Sequence, residues 1–451
     1  MWLRSSYRRF WWSWGMSEWE NYALSNVANI QIGGTPSREV SAYWAGTFDP
    51  GFPWVSIADL NTRVITETKE TITRKGILNS NVKLVSAGTL IMSFKLSIGR
   101  TALAGVDLFT NEAIAAIVTQ DRKVNPELLY YVLPPVAKAA ITDTAVKGST
   151  LNKASLGKLR IKVPTSYAQQ AKISHILQTI DQTIEKTEAL IEKQQQIKAG
   201  LMHDLFTRGI GPDGKLRPPR EQAPELYQQT PIGWIPKKWQ YATIDAVKEG
   251  IVDGPFGSNL KTEHYVSDPG VRVVRLQNIQ ATIYNDKDRA FVSDKHANSL
   301  FRNKVVGSDI LIAGLGEERY PVGRACLYPD ELPPSINKAD CFRLRCLDGV
   351  VHNGFLMYFL NTWQAKSQVR KYEQGVTRPR INLGNMKKVF VPKPKPEEQI
   401  TIFSRLEELT AKVNAETTYL NKLSLQKSGL MHDLLTGKVQ VNIDQPEVSH
   451  A

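Results

Sequence analysis

Only three cysteines occur in 451 residues, Cys326, Cys341 and Cys346, and all lie in the second half of the chain. No two have C-x-x-C spacing, and an odd number builds no disulfide framework. A disulfide scaffold is excluded, and a reducing, cytoplasmic setting is expected. No apolar run approaches the roughly 20 residues that a membrane-spanning helix needs, so no membrane association is expected. The seven histidines supply no metal set, because His203 and His432 are copies of one another.

The signatures of self-contained nucleic-acid enzymes are missing too. There is no G-x-x-x-x-G-K-S/T phosphate cradle. Gly314-Leu315-Gly316 lacks the third glycine of a dinucleotide site and reads as a loop. An amino-methyltransferase would carry an N/D/S-P-P-Y/F/W motif, yet the pairs Pro134-Pro135, Pro218-Pro219 and Pro333-Pro334 have the wrong neighbours. A metal-dependent nuclease needs a D/E-x-K after its Pro-Asp, and neither Pro212-Asp213 nor Pro329-Asp330 is followed by a suitable one. No catalytic residue, metal site or cofactor site is therefore expected in this chain, and a self-contained methyltransferase is disfavoured.

What is present is a formal net charge of +13, on a chain that is 42% hydrophobic and 22% charged. The size predicts two to four units with real cores. The basic excess favours a polyanionic partner, nucleic acid or an anionic surface. Residues 1–15 set Trp2, Trp11, Trp12 and Trp14 among Arg4, Arg8 and Arg9. They resemble neither a signal peptide nor a folded element, and are expected to be a non-native or disordered extension.

The chain is written twice. Gly200-Leu201-Met202-His203-Asp204-Leu205-Phe206-Thr207 returns as Gly429-Leu430-Met431-His432-Asp433-Leu434-Leu435-Thr436, identical at seven of eight positions at an offset of 229. Fainter echoes keep the same order. Trp19, Leu24, Val27 and Gly34 match Trp239, Ile244, Val247 and Gly254, and residues 86–100 match 306–324 with four extra residues in the second copy. Leu128-Leu129-Tyr130-Tyr131 matches Phe355-Leu356-Met357-Tyr358, and Val163-Pro164 matches Val391-Pro392.

Each copy ends in a long helical pattern. Alternating steps of four and three pick out Ile173, Leu177, Ile180, Ile184, Thr187, Ile191, Gln194, Lys198, Leu201 and Leu205. Shifting by 229 gives Ile402, Leu406, Leu409, Val413, Glu416, Leu420, Leu423, Lys427, Leu430 and Leu434. This is a heptad seam, which neither helix can bury alone, so the two are expected to pair antiparallel and hold the two globular parts apart. The polar seam positions Lys198 and Lys427 weaken the middle of the pairing and could fix its register. The repeated His-Asp near each helix end reads as C-terminal capping or partner contact before a catalytic pair.

The expected division is an extension at 1–15, a recognition domain at 16–164, a helix at 165–208, a Pro-rich linker at 209–236, a second recognition domain at 237–394, a second helix at 395–438 and a disordered tail at 439–451. Six prolines in the linker exclude helix and strand from it. Within the globular parts, residues 88–94 and 309–312 read as strands, and 126–140 and 353–371 as helices. The fold class is α+β, two mixed α/β domains alternating with two helices in a pseudo-two-fold chain.

Without an active site, basic and amide-bearing loops carry the functional signal. Gln374 to Asn382 sets Thr377, Arg378, Arg380 and Asn382 on a Gly/Pro-shaped loop, and arginine can bond guanine and asparagine adenine through two atoms each. The first copy offers Lys147, Ser149, Thr150, Asn152 and Lys153 at the corresponding place. Arg100 and Arg324 fall at equivalent points, as do strand-like stretches around Asp59 and Asn278, with Lys95 and Arg275 beside them. These are the candidate DNA contacts, against the plainer reading of solvated surface charge.

The duplicated plan resembles the specificity subunit of type I restriction-modification enzymes, over nearly all the chain after Met16. The resemblance rests on Ile197 to Leu205 and Lys427 to Leu434, on the helix approaches Val163-Pro164…Gln169 and Val391-Pro392…Gln399, and on Gly148-Ser149-Thr150 before the first helix. The second copy departs from it with Gly375-Val376-Thr377 and the extra residues 316–320. The resemblance implies that each globular part reads one half of a split double-stranded DNA site and that the paired helices set the gap. It also implies docking of two modification subunits, which carry S-adenosylmethionine, and of restriction subunits that use ATP and Mg. None of that chemistry would reside here. The rival reading is a coiled-coil adaptor with two RNA- or protein-binding modules.

Overall fold

A computed structural model describes residues 19–46, 51–95, 97–142, 151–267 and 269–443. It divides into two compact units, residues 1–188 with 418–451, and residues 189–417.

In the first unit, Trp19–Ala23 pairs antiparallel with Arg160–Pro164, so the module opens and closes on one two-stranded ribbon. Between them a five-stranded sheet runs in the order Ala28–Ile32, Ile114–Thr119, Leu90–Ser93, Thr101–Ala104, Val64–Ile65. Leu90–Ser93 is buried at all four residues, the continuous run that a central strand covered on both faces requires. A second sheet of four strands carries Phe52–Val55 and Leu108–Thr110 in parallel at its centre.

The second unit repeats the plan. Gln240–Thr243 pairs with Phe390–Lys393, and Ile310–Ala313 is the wholly buried central strand. Its four-stranded sheet runs Lys248–Val252, Cys341–Cys346, Ile310–Ala313, Ala325–Leu327, beside a five-stranded sheet holding Val271–Val274 and Ser335–Asn337 in parallel. The three cysteines are buried and unpaired, and burial pushes their thiols above the usual range.

The long helices run Tyr167–Thr207 and Pro396–Thr436. Ile173, Leu177, Ile180, Thr187, Ile191 and Leu205 are buried on the first, and Ile402, Leu406, Val413, Leu423 and Leu434 on the second. Ile184, Leu201, Leu409, Leu420 and Leu430 are half-buried. The two helices run antiparallel within each unit. In the first, Leu434 joins the core that holds Ile173 and Leu177, and Lys427 pairs with Asp181 at 2.6 Å. In the second, Leu205 shares a core with Ile402 and Leu406.

Two clamps recur at the 229 offset. Gln170 donates Nε2 to the Lys123 and Pro164 carbonyls and accepts from the Asn125 amide. Gln399 donates to the Val350 and Pro394 carbonyls and accepts from the His352 amide. The equivalent of Gln399 is therefore Gln170 and not Gln169, a one-residue correction to the expected approach to the helix. Likewise Tyr131 donates to Asp181 at 2.7 Å, while Tyr358 shares a 2.7 Å hydrogen bond with Thr410, 229 residues after Asp181. The half-buried Lys198 ammonium bonds the Thr282 hydroxyl and lies over the Tyr358 ring, and burial lowers its pKa.

Two expectations need correction. The linker is not free of strand: Tyr227–Thr230 and Gly233–Pro236 form a hairpin, because Pro231 occupies its turn and Pro236 ends its strand, where no ladder donor is missed. The helix expected at 353–371 is two, Asn353–Leu360 and Trp363–Arg370. Asn361 breaks it by turning its amide onto Ala325, and Thr362 caps the second piece. The helix expected at 126–140 in the first copy is present as Pro126–Thr142 and runs through Pro134-Pro135. The Tyr130 carbonyl that Pro134 cannot satisfy accepts from the Thr101 hydroxyl.

Each long helix finishes against the tryptophan that opens the next module. Gly209 and Gly437 both have positive φ, where glycine is favoured. A Cβ on Gly209 would run into the Trp239 ring, and one on Gly437 into the Trp19 ring.

Candidate nucleic-acid interface

The most organised surface lies in the second unit and is built around Arg324. Its guanidinium is 5% exposed. Nε donates to the Ile279 carbonyl at 2.7 Å and Nη2 to Leu276 at 3.1 Å. Nη1 reaches the carbonyls of Leu315, Tyr320 and Pro321 at 3.2, 2.9 and 3.1 Å. Burial lowers the pKa of this group, but a guanidinium does not deprotonate in proteins, so five carbonyls offset its desolvation. Arg324 is thus a tie between loops, which corrects its expected role as a DNA contact.

Three loops meet there. The strand after Ile310–Ala313 continues into a hairpin closed by two backbone bonds between Glu317 and Tyr320, with Glu318 and Arg319 at the tip. A second hairpin pairs Gln374 with Arg380 through both backbone bonds, turning at Gly375 with Val376 fully exposed. The two are zipped together by Gly316 to Pro379 and Ile381 to Gly314. The third loop is the turn Leu276–Asn278. Between them opens a cavity of about 380 Å³, lined by Gln277, Glu317, Tyr320 and Arg378 among others.

The stretch around Asn278 is therefore a helical turn and not a strand, as is Ile57–Asp59 in the first copy. Asn278 is buried, bonding the Arg275 amide and the carbonyls of Asn285 and Asp288, so it has no edge to offer a base. Asp59 does the equivalent work, accepting from the amides of Ser56 and Lys69. Arg275 is engaged by Asp288. Asn382 caps Leu383–Met386 and Asn152 caps Lys153–Gly157, each accepting from an amide three residues on. Both asparagines thus serve the backbone in place of the expected adenine.

Thr377 and Arg378 are exposed on the second hairpin, and Arg380, paired with Asp340 at 2.7 Å, lies over the Phe256 ring. In the first unit Lys95, Arg100 and Lys153 are exposed. Lys147, Ser149 and Thr150 lie outside the described residues. Arg100 and Arg324 match in sequence but differ in setting, because three of the carbonyls around Arg324 come from the loop that holds the four extra residues. Missed by the sequence reading were Gln277, Glu317 and Gln170, the last of these taken one residue early as Gln169. Only the last had a signal, its recurrence at the repeat offset. His203 and His432 are exposed, and their carbonyls accept from Thr207 and Thr436. Among the described residues no cluster could hold a metal, and no helix is long and apolar enough to cross a membrane.

A buried tie between polar loop tips, present in a basic chain built from two copies of one module, is the arrangement of a nucleic-acid-binding surface. The type I restriction modification DNA specificity domain matches residues 16–197 and 279–425, and the chain belongs to that family. It is 23% identical to the type I restriction enzyme MjaVIII specificity subunit of Methanocaldococcus jannaschii over 329 residues, 71% of this chain and 72% of that one. The MjaIX specificity subunit of the same organism is 27% identical over 195 residues, less than half of either chain. The EcoBI specificity subunit of Escherichia coli is 22% identical over 72% of this chain. Among solved structures, the type I restriction-modification S subunit of M. genitalium shares the fold at a TM-score of 0.59 and 15% identity, covering 93% of this chain and 96% of that one. A chain from a structure on complex assembly and conformational transition of the type I R-M system covers 93% of this chain at a TM-score of 0.52. The adaptor reading finds no support in these likenesses.

Proposed function

We propose that the chain is the DNA-reading subunit of a type I restriction-modification complex, each unit reading one half of a bipartite site. The observation that carries this is the doubling of internal architecture with unlike tips. The same glutamine clamp recurs 229 residues on and the same tyrosine-to-helix contact recurs in the second copy, while Arg100 stands exposed where Arg324 ties a cavity. Equivalent scaffolds with different reading surfaces suit two half-sites of different sequence. Lys95, Arg100 and Lys153 in the first unit, and Thr377, Arg378 and Arg380 in the second, are the contacts proposed; their exposure and charge suit phosphate or base edges.

The paired helices set the gap between half-sites and dock two modification subunits, with restriction subunits joining that complex; S-adenosylmethionine, ATP and Mg belong to those partners. The repeated helix ends support the docking: His203 and His432 face solvent, and a Cβ on Gly200 or Gly429 would meet nothing in this chain. An exposed helical glycine costs about 1 kcal/mol against alanine, and it occurs in both copies.

Co-expression with the modification subunit of the same system, followed by single-molecule sequencing of host DNA, tests the reading. A single split motif carrying N6-methyladenine in both halves is expected. A stable complex that binds duplex DNA without sequence preference would overturn it.

A further inference from the structure

We infer that the Arg324-tied cavity of the second unit is a base-reading site, in which Gln277, Glu317 and Arg378 determine the sequence of one half-site. The inference rests on the DNA-reading assignment above and goes beyond it by adding Gln277 and Glu317, which neither the basic loops nor the repetition picks out, and by giving Arg378 a base to read.

Three observations converge. First, the loops are stiff where they meet. Arg324 binds carbonyls from the 276–279 turn and from the 315–321 hairpin, and that hairpin is zipped by main-chain bonds to the one bearing Arg378. Discrimination between bases needs donors and acceptors held in place, and a buried guanidinium bonded to five carbonyls supplies that. Second, the two zipped hairpins form a β-ribbon with exposed tips, one of the two shapes that the major groove admits. Third, the lining combines an amide, a carboxylate and a guanidinium around one opening of about 380 Å³.

Glu317 is the telling member. A phosphate-gripping surface gains from every cation and loses from every carboxylate. Yet Glu317 and Glu318 lie beside Arg319, Arg378 and Arg380 in a chain of net charge +13. A carboxylate aimed at DNA is explained when it accepts from an exocyclic amino group, as glutamate does from cytosine N4, while arginine pairs with guanine and glutamine with adenine. The extra residues of the second copy lie in the loop that supplies Glu317, and at the matching point of the first copy Arg100 is exposed. The site therefore belongs to one half of the target only.

The test is the methylation motif of the assembled complex with Glu317→Gln, Gln277→Ala or Arg378→Ala, mapped beside wild type on host genomic DNA. Glu317→Gln keeps the side-chain shape. Gln277→Ala leaves a turn whose bonds come from its neighbours, so the tests do not stand on a single fold. Each variant is expected to relax or change the base at one position of one half-site, with discrimination there falling roughly ten- to hundredfold. The other half-site and the gap stay as in wild type. An unaltered motif in all three would overturn the inference while leaving the DNA-reading assignment intact. So would a uniform loss of methylation at every site from complexes that still assemble, since phosphate gripping does that. A wild-type complex without any split motif would instead defeat the assignment on which the inference rests.

Discussion

Arg324 shows how much one side chain organises. Replacing it with methionine leaves five carbonyls from two loops without their donor, and a cost of about 2–5 kcal/mol is expected in urea unfolding. Arg100→Met, at the matching but exposed position, is expected within about 0.5 kcal/mol of wild type. Asp253 offers a pH handle in the same unit. Burial pushes its carboxyl up to about 6, with the neighbouring Asp340 adding to the effect and amide bonds from Gly254 and Asp340 opposing it. An acid whose folded pKa is raised binds its proton more tightly when folded, so it favours folding in acid and opposes it as pH rises toward 6 and beyond. Asp253→Asn is therefore expected to raise the urea midpoint at pH 8, with the gain fading by pH 4. A gain that persists unchanged at pH 4 would assign the effect to something other than this titration. At this scale the sequence was a poor guide to the site. Arginine and asparagine were the right types to look for, but Asn278, Asn382 and Asn152 are spent on backbone amides and Arg324 on carbonyls. Nothing in a residue's identity says which way it faces.

Elements were far more legible. The four-three step marked out both long helices, because a packed helical pair leaves a periodicity that no loop imitates. Leu406→Ala, inside the core of the second unit, is expected to cost about 2–5 kcal/mol. Leu425→Ala on the same helix, 75% exposed, is expected within about 0.5 kcal/mol of wild type by the same denaturation. What failed was a place where a side chain overrides local propensity. Asn361 splits the expected 353–371 helix by bonding Ala325 across the fold. Its partner is distant in sequence, so the break could not be read from a window of neighbours. The 227–236 hairpin was missed for a different reason, since prolines forbid a ladder only where their missing donor faces it.

For the whole molecule, the duplication and the charge balance were the readable facts, and both concern binding. Duplex affinity of the assembled complex is expected to fall steeply with salt, and Arg378→Ala to reduce the slope of log K against log salt by about 1 if that residue also meets phosphate. An unchanged slope would mean that Arg378 acts on bases alone.

The glycines that stop the two long helices give the chain a further property. Gly209 lies against Trp239 where the first copy hands over to the second, and Gly437 lies against Trp19 where the second returns to the start of the first. Each junction is made in the same way, so within each unit the end of a long helix lies against the tryptophan that opens a module. A short linker from residue 443 to residue 19, with new ends cut at 219–222, is expected to give a permuted protein with native circular dichroism and the same methylation motif, its halves written in the opposite order along the chain. Loss of folding in that permutant would show that the existing ends are structural; retention would mean that the order of the two copies carries no information at all.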